Sequence, residues 1–395
     1  MTIASDFAVI GAGVVGAAVA YGLACRGQRV VLLDGSEHDP RASAANFGLV
    51  WVQGKGPGVP AYQSLTRTAS DLWPEFAAAL AGHGIDPARG SALPLDYERN
   101  GGLTFTFGEE GFEARRQLLG RLHNESGGAS ADHEMIDRRA IRQMMPDFEL
   151  GDEVSGASFC PRDGCVNPLA LHAALLRAIR RLGGEIRLGW KITDATRVGA
   201  DWRLASRDGA LTAAHVVLAA GLGSAELAGR LGLRAPVRPQ RGQILVSQRM
   251  PRVMPLPENT LRQTADGTFM VGATKEDVGF DRSTTAGAAG DLARNALRIT
   301  PALRHLNVVR HWAGLRVMTP DGAPIYDFGD NATAVSCHSG ITLAPVHAAM
   351  IVSELLDGTA DRDILALSPE RLRRPGGPPE ADRGGLAGQS AGAGA

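Results

Sequence analysis

The N-terminal part of the chain combines short apolar runs with regularly placed glycines. The apolar run Phe7–Ile10 leads into Gly11-Ala12-Gly13-Val14-Val15-Gly16, a stretch of small and apolar residues follows, and a second apolar run covers Val30–Leu33. Short apolar runs bounded by glycine predict buried strands, and the longer stretch between them predicts a helix. The pattern therefore predicts a strand–helix–strand unit with parallel strands.

The glycines of this unit have the spacing G-x-G-x-x-G, which is typical of dinucleotide-binding proteins. Gly11 permits the tight turn, Gly13 lets the backbone approach a pyrophosphate, and Gly16 lets the helix pack closely on the strand. The helix N-terminus offers N–H groups and a positive dipole end to the phosphates. Asp34 follows the second strand, where a carboxylate accepts hydrogen bonds from ribose hydroxyls. The predicted dinucleotide site at this end comprises Gly11, Ala12, Gly13, Val14, Val15, Gly16 and Asp34.

The same kind of pattern predicts further elements along the chain. Helices are predicted over 61–80, 111–123, 137–145 and 168–182, and strands over 101–107, 185–188, 202–206 and 215–220. The stretch 236–310 is polar at alternate positions, which predicts an antiparallel sheet that covers the substrate. A glycine-containing segment, 336–345, leads into a last helix that ends near Gly358. The Pro/Gly/Ala-rich residues 371–395 are predicted to be disordered.

The composition is that of an ordinary globular protein, with 44% hydrophobic and 21% charged residues in a chain of 395. Lys+Arg 41 and Asp+Glu 42 nearly cancel, and the net charge is −1. This balance provides no overall field for nucleic acid or an anionic membrane, so neither is predicted as a partner. Four cysteines make no disulfide framework in a chain of this length, which predicts a reducing, cytoplasmic location.

Two local patterns also occur in other classes of protein. Residues 8–25 are apolar or small over about the length of a membrane span, but several glycines interrupt them and no basic segment precedes them. Cys160 and Cys165 are spaced C-x4-C, yet a metal or iron–sulfur site needs a second pair of ligands that the chain lacks. We therefore predict neither a transmembrane segment nor a metal site.

Several sequence blocks, spread in order over roughly residues 5–360, match one known family. Besides the opening glycines, they are Ser43-Ala44-Ala45-Asn46-Phe47-Gly48, Gly101-Gly102-Leu103, Asp163-Gly164-Cys165-Val166-Asn167-Pro168, Val217-Leu218-Ala219-Ala220-Gly221, Pro239-Gln240-Arg241-Gly242-Gln243, Trp312-Ala313-Gly314-Leu315-Arg316 and Thr319-Pro320-Asp321-Gly322-Ala323-Pro324-Ile325. In these blocks the chain resembles the FAD-dependent D-amino acid oxidase superfamily, especially glycine oxidase, sarcosine oxidase, D-hydroxyproline dehydrogenase and hydrogen cyanide synthase. The resemblance implies an α/β fold, in which a Rossmann-like FAD-binding domain of the glutathione-reductase type carries an inserted substrate domain with a mixed or antiparallel sheet.

The implied domains are discontinuous. The FAD-binding domain is predicted over 1–75, 135–235 and 311–370, the substrate domain over 76–134 and 236–310, and a disordered tail over 371–395.

The resemblance also implies which residues contact FAD beyond the opening glycines and Asp34. The loop after the second strand would line the isoalloxazine ring, Ile192 would meet adenine, residues 220–221 would lie by the pyrophosphate, and two later segments would surround the flavin. These residues are Ser43, Ala45, Asn46, Phe47, Gly48, Leu49, Ile192, Ala220, Gly221, Gly314, Arg316, His338, Ser339, Gly340, Ile341, Thr342 and Leu343. Because the related covalent enzymes carry a cysteine close to the Arg316 block and Ala313–Pro320 has none, FAD is predicted to bind non-covalently.

For the substrate, the resemblance assigns Arg316 to the carboxylate, which a planar guanidinium holds through a bidentate fork. Leu49 and Trp51 are predicted to border the substrate. Glycine oxidase has a carboxylate-binding tyrosine near Thr260, and here Arg262 or Gln263 is predicted to replace it. His338 is the candidate base, with hydrogen bonding or packing as its alternative role.

The predicted function is oxidation of the C–N bond of a small amino acid or secondary amine, with D-amino acids, N-alkyl glycines and imino acids as candidate substrates. The lysine that promotes oxygen reduction in sarcosine oxidase would fall near Phe269 or Met270, and neither side chain can take its role. Both O₂ and a redox partner subunit are therefore predicted as candidate electron acceptors. The blocks 315–319 and 337–345 look most like the hydroxyproline dehydrogenase and cyanide synthase group, whose members are subunits of larger assemblies. The alternatives are therefore an FAD-bearing subunit of a multi-component dehydrogenase, a flavin-binding protein without turnover, and an NAD-dependent dehydrogenase.

Overall fold

The computed structural model describes residues 4–35, 41–83, 85–86, 91–92, 94–128, 132–359 and 361–373. Its strands are β1 (Ala4–Ile10), β2 (Val30–Leu33), β3 (Leu49–Val50), β4 (Ile85–Asp86), β5 (Ser91–Ala92), β6 (Gly102–Phe107), β7 (Glu134–Asp137), β8 (Val154–Cys160), β9 (Gly164–Cys165), β10 (Glu185–Arg187), β11 (Ile192–Val198), β12 (Asp201–Ser206), β13 (Gly209–Leu218), β14 (Arg238–Arg249), β15 (Leu261–Gln263), β16 (Thr268–Gly272), β17 (Val308–Met318), β18 (Ile325–Gly329) and β19 (Ala332–Ser336). Its helices are α1 (Val14–Cys25), α2 (Pro60–His83), α3 (Gly108–Glu125), α4 (Arg138–Met144), α5 (Pro168–Arg181), α6 (Ser224–Leu227), α7 (Ala286–Ile299), α8 (Ala344–Val346), α9 (Val352–Asp357) and α10 (Arg362–Ala366).

The largest sheet has a parallel centre in the order β10-β2-β1-β13, with β19 parallel to the second half of β13. The hairpin β11–β12 pairs antiparallel with the first half of β13, and β18 pairs antiparallel with β19. Strands β1, β2 and the end of β13 consist almost entirely of apolar residues because both faces of this sheet are covered. The predicted strand–helix–strand unit is confirmed.

Two apolar clusters cover the faces of this sheet. On one face α1 packs against α5 and the π-helical turn His347–Ile351 between α8 and α9, and α2 completes the layer. On the other face the side chains of β11 and β12 pack on Leu227, Leu231 and Leu233. A third cluster lies between the β6–β8–β7 sheet and the β15–β16–β14–β17 sheet. This arrangement confirms a Rossmann-like domain with a second, antiparallel unit.

The antiparallel sheet contains strands at the predicted place, but part of the prediction is wrong. Residues 286–299, predicted within a strand-rich stretch, form the helix α7. The Thr285 hydroxyl accepts a hydrogen bond from the Ala288 N–H and so caps the helix. The buried residues Leu292, Asn295, Ala296 and Ile299 follow the helical repeat, so the signal was present in the sequence.

The predicted division into domains stays a prediction, and several elements run across its boundaries. Helix α2 continues through residue 76, and β17 continues through residue 311 while pairing with β14 along most of its length. Strand β8, predicted in the FAD-binding part, pairs with β6 and β7.

The end of the described chain differs from the predicted disordered tail. Residues 369–373 form a 3₁₀-helix, and the Arg371 guanidinium pairs with the buried carboxylate of Asp321 at 2.8 Å. The prediction of disorder is wrong for 371–373, and 374–395 lie outside the described residues. Among the helices that the structure describes, none combines the length and apolar character needed to cross a membrane.

Candidate cofactor and substrate site

The turn between β1 and α1 leaves room only for glycine at two positions. Gly11 has a φ of +106°, and a Cβ there would lie 2.4 Å from the Ala219 carbonyl oxygen. A Cβ at Gly16 would lie 1.9 Å from the Gly11 carbonyl oxygen. The glycine spacing therefore reflects close backbone packing between β1, α1 and the end of β13.

A first cavity of about 270 Å³ opens at this turn. It follows the carboxyl ends of the parallel strands β2, β1, β13 and β19, where ligands bind in doubly wound sheets. The predicted cofactor residues that line it are Gly11, Gly13, Val14, Val15, Asp34, Ser43, Asn46, Ile192, Ala220, Gly221, His338, Gly340 and Ile341. Gly13, the N-cap residue, has no side chain that could cap the helix, and the Ser43 hydroxyl accepts a hydrogen bond from the Val14 N–H at 2.9 Å. Gly13, Val14 and Ser43 all line this cavity, so the positive end of α1 lies at its wall.

Asp34 provides a direct test of whether this cavity suits the adenosine part of FAD. Burial raises the pKa of its carboxyl, and its Oδ1 accepts a hydrogen bond from the Gly35 N–H at 3.0 Å. Its Oδ2 lies 2.8 Å from Arg41 Nη2 but accepts no hydrogen bond of good geometry from the described residues. A buried carboxylate oxygen needs a donor, and a ribose diol supplies one, so the residues fit the group.

A second cavity of about 420 Å³ adjoins the first. The two share six wall residues, Ala42, Asn46, Val317, Cys337, His338 and Ile341. Predicted residues that line the second cavity are Ala45, Asn46, Phe47, Leu49, Trp51, Gly314, Arg316, His338, Ser339, Ile341 and Thr342. The long cleft formed by both cavities matches an extended dinucleotide whose ring end lies beside a substrate space.

Glycine is also required where β17 approaches the loop after β2. A Cβ at Gly314 would lie 2.4 Å from the Ala45 Cβ, and Gly314 pairs with Gly242 of β14. A Cβ at Gly242 would in turn lie 2.6–2.8 Å from the guanidinium of Arg316. Gly242 therefore forms the surface on which the Arg316 head group rests, and Gly314 lets β17 approach Ala45.

Arg316 is the predicted substrate residue, and its environment leaves much of its hydrogen-bonding capacity unused. Its Nη1 donates to the carbonyl oxygens of Thr274 at 2.7 Å and Arg241 at 3.2 Å. No carboxylate of the described residues lies within ion-pair distance of it. Burial lowers its pKa to about 10, so the group stays cationic near neutral pH. A half-buried guanidinium with free donors suits a carboxylate ligand.

His338 lies on the wall that the two cavities share. Burial lowers its pKa well below the usual value, and the positive charges of Lys55, Arg316 and Lys275 act in the same direction. The imidazole is therefore neutral near pH 7 and available as a hydrogen-bond partner. As a base its strength is low, which favours the hydrogen-bonding alternative.

Arg262 and Gln263 are not brought to the second cavity. The Arg262 Nε donates to the Phe47 carbonyl oxygen at 2.5 Å, and the Gln263 side-chain oxygen accepts from the N–H groups of Val253 and Met254. Both residues line a third cavity of about 590 Å³, which shares Asn46 with the other two. These contacts give both side chains a structural role in holding loops.

Four predicted cofactor residues line none of the three cavities. Ala12 and Leu343 are buried, Gly16 packs against Gly11, and Gly48 has a φ of +86°, where a Cβ would lie 2.4 Å from the Val166 carbonyl oxygen. They shape the turn and loops that carry the lining residues.

Sequence reasoning missed several charged and polar wall residues. Lys55, Gln53 and Arg115 line the second cavity, and Arg41 and Lys191 line the first. A signal existed for Arg115, because 112, 115, 119 and 122 follow the helical repeat and Leu119 and Leu122 are buried. Lys55, between Gly54 and Gly56 in a long loop, offered no pattern beyond its flanking glycines.

The comparisons with known proteins agree with this geometry. The family model described as FAD dependent oxidoreductase matches residues 6–355. An opine oxidase subunit of Agrobacterium tumefaciens (strain Ach5) is 36% identical over 370 residues, covering 93% of this chain and 97% of that protein. The HcnC subunit of hydrogen cyanide synthase from Pseudomonas aeruginosa is 28% identical, with 81% and 84% covered. The crystal structure of glycine oxidase from Geobacillus kaustophilus has a TM-score of 0.80 at 25% identity, covering 91% of this chain and 96% of that one.

The match spans both cavities and the elements that form them. The Asp34 carboxylate, the glycine turn and the residues around Gly314 are placed to hold the cofactor without a covalent bond, and FAD is the cofactor of the family. The chain belongs to the FAD dependent oxidoreductase family and is an FAD-dependent oxidoreductase.

Proposed function

We propose that this enzyme oxidises the C–N bond of a small amino acid or secondary amine. The observation that carries the proposal is the position of Arg316, whose free guanidinium donors point to a carboxylate ligand in the cavity that adjoins the FAD cleft. A carboxylate held there fixes the carbon next to it, and orientation of this kind accounts for much of the barrier in such reactions. Relatives named opine oxidase and glycine oxidase support the substrate class.

FAD, when bound, would accept a hydride, and with it two electrons, from the substrate carbon at flavin N5. The chain's own contribution is to hold the substrate. Arg316 binds the carboxylate, while Leu49 and Trp51 exclude water from the space beside the ring. The neutral His338 accepts or donates a hydrogen bond without adding charge. Loss of hydride and of the amine proton leaves an imine, and water converts this to an oxo acid and the free amine.

The experiment is an anaerobic titration of the FAD-loaded protein with D-amino acids, glycine, sarcosine and prolines. We expect the visible flavin absorbance to be lost with at least one of them. Retention of the flavin colour with every amine, with FAD tightly bound, would contradict the proposal and favour a flavin-binding protein without turnover.

A second candidate is the same reaction carried out as the FAD-bearing subunit of a multi-component dehydrogenase. Two relatives that are named as subunits, one of opine oxidase and one of hydrogen cyanide synthase, favour it. The edge strand β17 also presents Val308 and Val309 with 57% and 61% exposure, and exposed apolar side chains on a sheet edge suit a partner protein. Slow reoxidation of the reduced chain by air, with rapid reoxidation by an artificial acceptor, would support this candidate. Stoichiometric H₂O₂ formation would exclude it.

A further inference from the structure

The second cavity carries an unusual concentration of positive charge. Arg316, Lys55, Arg115 and Lys275 all line it, and no Asp or Glu of the described residues does. Arg316 and Lys275 come from the β14–β17 sheet and the loop after β16, whereas Lys55 and Arg115 come from the loop after β3 and from α3. The cations thus converge from two separate parts of the fold.

The first cavity does not share this excess of positive charge. Its walls hold Arg41 and Lys191 together with Asp34 and Glu226, so its charged residues balance. A bound pyrophosphate would lie on that side of the cleft, next to the N-terminus of α1. The excess of cations lies instead in the second cavity, together with the candidate substrate residue Arg316.

Lys55 lies deep in the second cavity and has no carboxylate of the described residues within ion-pair distance. Its Nζ donates to the Ser339 hydroxyl oxygen at 2.9 Å. Its pKa is lowered to about 8, chiefly by burial, with the charges of Lys275 and Arg316 acting in the same direction and Asp163 opposing them. The ammonium group thus lacks a direct counter-charge and is close enough to Arg316 for the two to repel.

Arg115, on the neighbouring wall, also has no carboxylate of the described residues within ion-pair distance, although Asp163 and Glu258 are near enough to raise its pKa against the effect of burial. Its Nε donates to the Ser158 hydroxyl at 2.8 Å, and its Nη2 donates to Gln53 Oε1 at 2.7 Å and to the Thr104 hydroxyl at 3.2 Å. Its Nη1 donates to no acceptor in the part of the chain that the structure describes. These neutral contacts fix the guanidinium in place, and they leave one donor nitrogen facing the cavity wall at Gly54.

Poorly paired cations in a partly buried site are costly unless a ligand supplies the opposite charge. One carboxylate, held by Arg316, leaves Lys55 and Arg115 unmatched. We propose that the substrate is an amine with two carboxylates, the first bound by Arg316 beside the reacting carbon and the second bound by Lys55 and Arg115. Two sources share this chemistry, an N-(carboxyalkyl) amino acid and an acidic amino acid. The inference rests on the proposed function for the role of Arg316.

The reaction balances for either source. A hydride leaves the carbon that bears the first carboxylate, the amine nitrogen loses a proton, and the two electrons reduce FAD. Water then adds to the C=N bond and the C–N bond breaks. An N-(carboxyalkyl) amino acid gives an oxo acid and an amino acid, and an acidic amino acid gives a dicarboxylic oxo acid and ammonia.

Binding of a matched pair of unreactive ligands tests the inference without turnover. Diglycolate has an ether oxygen between two carboxymethyl groups, and ethoxyacetate has a methyl group in place of one carboxylate. We expect diglycolate to bind the FAD-loaded enzyme at least about tenfold more tightly, which corresponds to about 1.4 kcal/mol, as measured by perturbation of the flavin spectrum. Equal affinities would overturn the proposal.

Variants locate the second carboxylate. Lys55→Met and Arg115→Met should each remove most of the preference for diglycolate and leave ethoxyacetate binding nearly unchanged, whereas Lys55→Arg should keep the preference. Arg116→Met is the matched control, because Arg116 is next to Arg115 on α3 but exposed and paired with Glu113. If Arg115→Met fails to fold, the ligand affinities of Lys55→Met alone test the proposal, since a substitution at Lys55 changes a loop and not a helix. Equal weakening of both ligands by Lys55→Met would contradict the assignment.

Two oxidisable pairs then separate the sources, iminodiacetate against N-ethylglycine and D-aspartate against D-2-aminobutyrate. If the second carboxylate raises kcat/KM in the first pair, the substrate is an N-(carboxyalkyl) amino acid, and if it does so in the second pair, the substrate is an acidic amino acid. If the second carboxylate raises kcat/KM in neither pair, the result counts against the proposal. If diglycolate binds as expected but no amine reduces the flavin, the proposed function fails while the second-carboxylate site stands.

Discussion

The position of Arg316 can be tested by changing a neighbouring residue that has no side chain of its own to bind a ligand. Gly242 of β14 is buried and lies under the Arg316 guanidinium. An alanine Cβ at this position would lie 2.6 Å from Nη1 and 2.8 Å from Cζ and Nη2. The atoms that this Cβ would meet are the far end of a flexible side chain. Gly242→Ala should therefore move the Arg316 guanidinium without disturbing the backbone of the sheet.

The size of the effect follows from these distances. Non-bonded atoms prefer separations of about 3.5–4.0 Å, so the guanidinium must retreat by roughly 1 Å. It then loses the geometry of its bonds to the Thr274 and Arg241 carbonyl oxygens. Misplacement of a positioning group by about 1 Å costs about 10²-fold in rate. We therefore expect kcat/KM to fall by about two orders of magnitude.

The assay compares Gly242→Ala with Gly287→Ala at saturating FAD. Gly287 is in α7, and a Cβ there would meet no atom within 4 Å. The control should retain full activity and gain up to about 1 kcal/mol of stability, because glycine is the poorer helix former. Gly242→Ala should keep its FAD and unfold at nearly the wild-type temperature.

A Gly242→Ala enzyme with kcat/KM within about threefold of wild type, a difference of less than 1 kcal/mol, would refute the reasoning. It would mean either that Arg316 does not hold the reacting substrate or that its position is not critical.

Further predictions concern the same cleft. Arg316→Lys should lower kcat/KM by about 10²-fold or more with little loss of FAD, because an ammonium cannot replace a bidentate fork; steady-state kinetics at fixed FAD measures this, and near-normal activity would contradict it. Asp34→Ala should weaken FAD binding by about 10- to 100-fold, since a hydrogen bond to a charged group contributes about 1.5–3 kcal/mol; fluorescence titration of the apoprotein measures this, and an unchanged dissociation constant would exclude a ribose contact. Lys55 has a pKa lowered to about 8 and is cationic below that pH, so the affinity for diglycolate should fall as the pH rises through about 8. Lys55→Arg should abolish that fall because arginine stays protonated, and a pH dependence that persists in Lys55→Arg would assign it to another group.

Local sequence signals were enough to predict the cofactor end of the site. The turn Gly11–Gly16 and the carboxylate of Asp34 belong to one contiguous unit with a recognisable spacing of glycines, although Gly11 is packed against the distant Ala219 as well as its own turn. The runs Phe7–Ile10 and Val30–Leu33 of the parallel strands on either side are apolar because both faces of the sheet are buried. The glycine spacing, the acidic residue and the apolar strands therefore all predicted the same structure.

The substrate end was less predictable because its residues converge from distant segments. Lys55 is in a loop, Arg115 is on the amphipathic helix α3, and both reach the cavity of Arg316 only after separate parts of the fold have packed together. The sequence places Arg262 and Gln263 close to a position that matters in a related enzyme, yet their side chains bond to backbone groups of neighbouring loops. The sequence indicated that both residues lie on a strand, but tertiary packing determines the direction in which each side chain points.

The most direct test of the account is a single anaerobic turnover of the FAD-loaded enzyme with a dicarboxylic amine, iminodiacetate or D-aspartate, in limiting amount. The flavin colour should be lost in proportion to the amine added, and one oxo acid should appear for each FAD reduced. Full reduction of the flavin without an oxo acid product would contradict C–N bond oxidation. No reduction by these or any other amino acid would contradict the account as a whole.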